Sequence, residues 1–384
     1  MAKLGEVFTI ASGGTPDKKK PFYYENGTIP WVKTGDLKTQ YVPEGIECIT
    51  EEGLDNSSAK LFPPNTVLVA MYGATIGACS ILPYEAATNQ ACAAFLPNEN
   101  VLPTYLYYFL SSKREQFVKD GVGGAQPNIS AGYLKNVQFG LIPMQQQIDI
   151  VEKLDKVEKL IALRKEQLAK LDELVKARFV ELFGDCLTNP KGWKTKYLED
   201  IAEVGSSKRV FVEELQEDGI PFYRGTEVGA LAEGKQITPE LFITEQHYAE
   251  LCKATGAPRI GDLLMPSICP DGRIWVVDTD EPFYFKDGRV LWVHAIDASY
   301  NPVFLLYTLK DRIMTDYSSI ASGTTFAELK IFALKKCRVF DVPIALQNQF
   351  AAFVEQTDKS KSAVQKGLEE LELLKKALMQ KYFG

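Results

Sequence analysis

Between residues 143 and 183 apolar side chains recur every seven positions, at Leu154, Ile161, Leu168, Val175 and Leu182, with Val157 and Leu171 offset by three. That spacing predicts one long helix with a coiled-coil seam. A helix of roughly 40 residues is ~60 Å long at 1.5 Å per residue, too long for a small globular domain to cover, so it needs a partner. Residues 343–383 supply one, with Phe350, Val354, Leu368, Leu371, Leu374 and Leu378 as apolar positions. This second helix is weaker around Ser360-Lys361-Ser362 and Gly367, because an interior glycine costs about 1 kcal/mol against alanine. It is expected to form only when packed antiparallel to the first.

Ahead of each helix the period changes. Residues 1–142 alternate short β-rich runs (29–32, 66–71, 91–95) with turn signals such as Gly13-Gly14-Thr15-Pro16, Asn26-Gly27 and Pro63-Pro64-Asn65. Pro103 opens a helix through about Lys119, since proline suits a first turn. Residues 121–128 read as a polar-tipped loop, and the whole as an α+β domain with a mostly β core. The plan then repeats. Phe183-Gly184 and Phe383-Gly384 end the two helices 200 residues apart, and the same shift superposes Gly123 on Gly323, Leu134-Lys135 on Leu334-Lys335 and Gln147 on Gln347. More loosely, Lys33-Thr34-Gly35-Asp36 answers to Arg224-Gly225-Thr226-Glu227, and Ala74-Thr75-Ile76-Gly77 to Pro270-Asp271-Gly272-Arg273. The expected segments are 1–142 globular, 143–184 helix, 185–342 globular and 343–384 helix. The expected architecture is two pseudo-twofold-related, mostly β domains separated by a pair of long antiparallel coiled-coil helices.

Composition narrows the function. With 46% hydrophobic and 24% charged residues in 384, this is the make-up of a soluble folded protein. No apolar run reaches the ~20 residues that span a bilayer, and residues 1–9 lack signal-peptide character, so a cytoplasmic protein without a membrane partner is expected. The seven cysteines form no C-x-x-C pair, and the two histidines, His247 and His294, have no second metal-type ligand at helical spacing. Phosphate-loop, dinucleotide and nucleophile-turn motifs are missing too. The chain reads as non-catalytic, with no catalytic residue, no metal and no cofactor.

A net charge of −7 does not by itself favour nucleic acid, but binding depends on where the basic residues lie. Asn and Gln pair bidentately with adenine and Arg and Lys with guanine, and glycine-rich turns admit phosphate. On that chemistry the DNA-contact candidates in the first half are Lys33, Thr34, Tyr72, Thr75, Asn89, Gln90, Gln126 and Asn128. In the second half they are Arg224, Thr226, Ser267, Arg273, Lys286, Arg289, Thr324 and Thr325.

The order Ser12-Gly13-Gly14-Thr15-Pro16, Ile29-Pro30-Trp31 through Asp36, Thr75-Ile76-Gly77, Asn89-Gln90, Ser322-Gly323-Thr324-Thr325 and the two Phe-Gly helix ends resembles the DNA-specificity subunits of type I restriction-modification systems over the whole chain. The resemblance implies two target-recognition domains, each reading one half of a bipartite asymmetric site in double-stranded DNA, with the helices setting the gap. It further implies docking of two adenine-N6 methyltransferase subunits, which bring S-adenosylmethionine, and of ATP-dependent restriction and translocase subunits. Two other readings stand beside it: the recognition portion of a methyltransferase or nuclease with its own activity, and a coiled-coil adaptor without DNA specificity.

Overall fold

The computed structural model describes residues 1–122, 128–323 and 327–384. It contains two compact units, Met1–Glu166 with Gln365–Gly384 and Gln167–Val364. Each unit takes one globular segment together with part of both long helices, Met144–Phe183 and Ile344–Phe383.

In unit 1 the strands Ile10–Ser12, Cys92–Phe95, Val67–Ala70 and Cys79–Ile81 form an antiparallel sheet in that order. A second sheet orders Cys48–Ile49, Ile29–Val32, Ala86–Thr88 and Leu61–Phe62, with the middle two strands parallel. Val67–Ala70 and Cys92–Phe95 are buried along their whole length. Their alternate residues serve two cores, Val67, Val69, Ala93 and Phe95 on one face and Leu68, Ala70, Cys92 and Ala94 on the other. The helix expected from Pro103 is two, Pro103–Ser112 and Arg114–Asp120. The break is at Lys113, whose N–H turns back to the Leu110 carbonyl while the Ser112 hydroxyl takes that of Phe109.

Unit 2 repeats the antiparallel sheet in the same order with Glu203–Gly205, Val290–His294, Leu263–Pro266 and Trp275–Val276. Its second sheet has three strands, Phe242–Ile243, Ile220–Tyr223 and Tyr284–Phe285, again with one parallel pair. The turn Lys33-Thr34-Gly35-Asp36 and the helix start at Arg224 also share a device. The Lys33 N–H donates to Asp36 at 2.8 Å, and the Arg224 N–H to Glu227 at 2.8 Å. The acidic residue three positions on therefore caps the backbone in both.

Within each unit the helix segments run antiparallel. In unit 1 Lys165 pairs with Glu372 at 3.1 Å, and Glu158 with Lys375. In unit 2 Lys361 pairs with Asp172 at 2.7 Å, and the Phe179 ring packs on Phe350 at 5.4 Å. The Ser360-Lys361-Ser362 stretch, weak by sequence, is thus held by a cross-helix ion pair. Leu154, Val157, Ile161, Val175, Phe350, Val354 and Leu368 are buried as the seam predicts, but Leu374 is 46% exposed. At 100° per residue it lies well off the line through Val364 and Leu368, and its neighbour Lys375, half-buried, pairs with Glu158 across the helices. Phe179, Phe183 and Phe383 are further buried positions. The two terminal phenylalanines plug the cores of their units, and Gly184 turns the chain at φ +87°.

A buried glutamine ties each globular segment to its helix. Gln147 accepts the Leu102 N–H at 2.9 Å and donates to the Asn100 and Ile142 carbonyls at 2.8 and 2.9 Å. Gln347 accepts the Asn301 N–H at 2.8 Å and donates to the Ser299 and Val342 carbonyls at 3.1 and 2.9 Å. Both side chains are fully buried, and all three contacts of each are repeated.

Candidate nucleic-acid interface

In unit 1 the parallel pairing of Ile29–Val32 with Ala86–Thr88 sets Lys33 beside Asn89, whose N–H donates to the Val32 carbonyl at 3.0 Å. The antiparallel pairing of Val67–Ala70 with Cys92–Phe95 carries Met71 to Ala91, an N–H to carbonyl distance of 2.8 Å, and so places Tyr72 next to Gln90 and Ala91. Asn128 bridges Tyr72, and Thr75 folds back to the Tyr72 carbonyl at 3.1 Å. Strand pairing thus gathers Lys33, Thr34, Asn89, Gln90, Tyr72, Thr75 and Asn128 along one rim. Gln126 lies outside the described residues.

Several of these groups are already engaged. Lys33 Nζ sits 2.6 Å from Glu47, and that hydrogen bond holds its ammonium above the usual lysine range. Asn89 Oδ1 accepts the Ala91 N–H at 3.1 Å, and Gln90 Oε1 accepts the Thr15 hydroxyl at 2.5 Å. The approach of Thr15 depends on Gly13: a Cβ there would lie 1.9 Å from the Thr88 carbonyl oxygen.

Unit 2 builds the same rim with different chemistry. The Lys286 N–H donates to the Tyr223 carbonyl at 2.9 Å, which sets Lys286 beside Arg224, and the Ser267 N–H donates to the Arg289 carbonyl at 2.9 Å. Arg224 forks onto Glu227 (Nη2 to Oε1, 2.5 Å) and reaches Glu240 at 2.9 Å. Burial pushes the Glu227 carboxyl up, but the guanidinium and backbone N–H groups outweigh it and bring it to about 2. Thr226 donates to Glu227 at 2.9 Å, Arg273 pairs with Asp271 at 2.8 Å, and Arg289 pairs with Glu328. Ser267 is buried, so its hydroxyl does not stand on the rim surface, whereas Lys286 is exposed. Thr324 and Thr325 lie outside the described residues. Among those described, no group of three or more His, Cys, Asp or Glu could hold a metal ion, and no helix is long and apolar enough to cross a membrane.

Two sheets of repeated order, each ending in a rim of polar side chains, agree with what sequence comparison finds. Residues 1–173 and 190–373 each match the type I restriction modification DNA specificity domain. The chain belongs to that family. It is 27% identical over 413 residues to the MjaIX specificity subunit of Methanocaldococcus jannaschii, spanning 99% of this chain and 91% of that protein. It is 30% identical over 189 residues to the EcoR124I/EcoR124II specificity subunit of Escherichia coli, spanning 48% and 46%. Among solved structures, the S subunit from M. genitalium matches with TM-score 0.55 and 17% identity, over 100% of this chain and 95% of that one. A chain of a type I R-M system solved in a study of complex assembly and conformational transition matches with TM-score 0.63 and 19% identity, over 100% and 96%. At these identities the structures establish the fold, that of type I specificity subunits.

In this specificity-domain fold the rim also holds residues that sequence reasoning passed over: Thr15, and the carboxylates Glu47, Glu227, Glu240 and Glu328. Thr15 carried a signal in the Gly13-Gly14-Thr15-Pro16 turn. Glu47 and Glu328 carried none, because they meet Lys33 and Arg289 only through chain separations of 14 and 39 residues.

Proposed function

We propose that the chain is the non-catalytic subunit that selects the DNA site of a type I restriction-modification complex, each unit reading one half of a bipartite asymmetric sequence. The observation that carries this is the pair of rims. The same strand ends present amide, hydroxyl and phenol groups with a single Lys33–Glu47 pair in unit 1, and mainly Arg, Lys and Glu in unit 2, and one frame with two chemistries suits two different half-sites. The matched family is a DNA specificity domain and the relatives are named specificity subunits, which supports a chain that selects the site while the subunits it assembles with carry out catalysis. Here those partners are two adenine-N6 methyltransferase subunits, which carry S-adenosylmethionine and flip the target base, and ATP-dependent restriction and translocase subunits. The helix pair sets the gap between halves, so the spacing approximates a whole turn of ~34 Å.

The helices also offer a docking face. In unit 1 Leu160, Leu163 and Leu374 are 47, 49 and 46% exposed, on a stretch bracketed by the Lys165–Glu372 and Glu158–Lys375 pairs. Leucines three apart on one helix lie within about 60° of each other, which suits an apolar helix from a methyltransferase subunit. The proposal is tested by selecting duplexes from a random library with the chain and the subunits that copurify with it. Two short fixed blocks around an unread gap of constant length are expected; one contiguous block, or none, refutes it.

A further inference from the structure

Three short segments of unit 1 meet side by side where the antiparallel sheet opens. Asn128 is bridged antiparallel to Tyr72 on one side and to Val122 on the other. The Val122 N–H donates to the Asn128 carbonyl at 2.9 Å, the Asn128 N–H returns to Val122 at 3.0 Å, and the Ile129 N–H donates to the Met71 carbonyl at 3.0 Å. Residues directly opposite in antiparallel neighbours carry their side chains on the same face. A phenol, a carboxamide and an isopropyl group therefore form one row. Tyr72 is 44% and Val122 75% exposed, and Asn128 is exposed between them. At ~4.8 Å per strand the row spans about 10 Å, within the ~12 Å major groove, which admits a β-ribbon.

Hydrogen-bonding capacity sets Asn128 apart. Reading adenine requires the amide oxygen to accept from N6 while the amide nitrogen donates to N7. The oxygens of Asn89 and Gln90 each already accept one hydrogen bond, from the Ala91 N–H and the Thr15 hydroxyl, which ties both amides to their own loops. Among the described residues none hydrogen-bonds the Asn128 side chain, so both of its ends are available. Val122 adds the complementary feature, since exposed β-branched methyls gain by contact with the 5-methyl group of thymine.

We infer that the half-site of unit 1 contains an A·T pair read in the major groove by this row. Asn128 pairs with adenine N6 and N7, Val122 contacts the thymine methyl, and Tyr72 closes the row on the other side. The inference rests on the DNA-specificity reading proposed above and adds the base pair and the residues that choose it.

The test uses the full chain with its copurifying subunits and duplexes in which the wild-type selected site is varied one pair at a time. Asn128→Ala is expected to lose about 5- to 150-fold discrimination at one A·T pair, in one half only. Replacing that thymine by deoxyuridine is expected to weaken wild-type binding and to leave Val122→Ser binding unchanged. If both variants keep wild-type discrimination at every pair, the inference falls and the specificity reading stands. A uniform loss across all sequences, the signature of a phosphate contact, overturns the inference in the same way. A wild-type chain with no preferred split site overturns both.

Discussion

Gln147→Leu removes three hydrogen bonds at the joint between a recognition domain and its helix while nearly conserving volume. The Leu102 N–H loses its acceptor, and the Asn100 and Ile142 carbonyls lose their donor. A buried group left unsatisfied costs ~1–3 kcal/mol. Leu102 and Ile142 are half-buried and Asn100 is exposed, so water reaches part of the site and the lower figure applies. Three groups at ~1 kcal/mol each give about 3 kcal/mol, and the greater apolarity of leucine offsets some of that. With an m-value of roughly 2–3 kcal/mol/M, the urea midpoint of unit 1 falls by about 1 M. Amide exchange of Leu102 should accelerate by a matching factor while amides of unit 2 keep their protection. Gln146→Leu is the control: that side chain is exposed one residue earlier, and its change should stay within about 0.5 kcal/mol. A Gln147→Leu midpoint equal to that of Gln146→Leu would refute the joint as a stabilising element. Gln347→Leu should produce the mirror result, with the loss confined to unit 2.

Two further outcomes follow from the charges and the helix faces. The Glu227 carboxyl, held at about 2 in the folded chain against an ordinary value of 4.5, contributes stability that is present above the ordinary value and lost as pH falls toward 2. Arg224→Ala removes the partner that depresses it, so urea midpoints measured from pH 5 downward should fall less steeply for the variant than for wild type. Equal slopes would mean the fork does not form in solution. On the helix pair, the double variant Leu160→Glu and Leu374→Glu should fold with an unchanged midpoint yet copurify poorly with methyltransferase subunits; undiminished copurification would place docking elsewhere.

The two long helices were the most legible part of the chain, because a sevenfold apolar period over forty residues has few other solutions. Leu374 shows where that reading stops. Heptad counting marks it apolar, but only the partner helix decides which apolar positions are covered. The duplication located Gln147 and Gln347 as equivalent residues without revealing their role, since a buried amide and an exposed one look alike in sequence. Side-chain chemistry in the turn-rich runs suggested the candidate residues, and strand pairing sets Lys33 beside Asn89, Tyr72 beside Gln90 and Arg224 beside Lys286. Which of them are occupied was not legible: the fork of Arg224 with Glu227 and Glu240, and the Gln90 contact with Thr15, depend on distances that only the folded chain sets. Ser267 made that plain, for a serine in a turn-rich run reads as surface and is buried here beneath the Arg289 backbone.

The central claim is that one chain reads two half-sites, one per unit, and the most direct test is single-molecule mapping of N6-methyladenine in host DNA. Strains carrying the wild-type gene, a deletion, and the unit 2 variant Lys286→Ala with Arg289→Ala would be compared. The account predicts a bipartite methylated motif that disappears in the deletion; in the variant one half relaxes while the other half and the gap length persist. A map unchanged by the deletion, or a variant that relaxes both halves together, would contradict it.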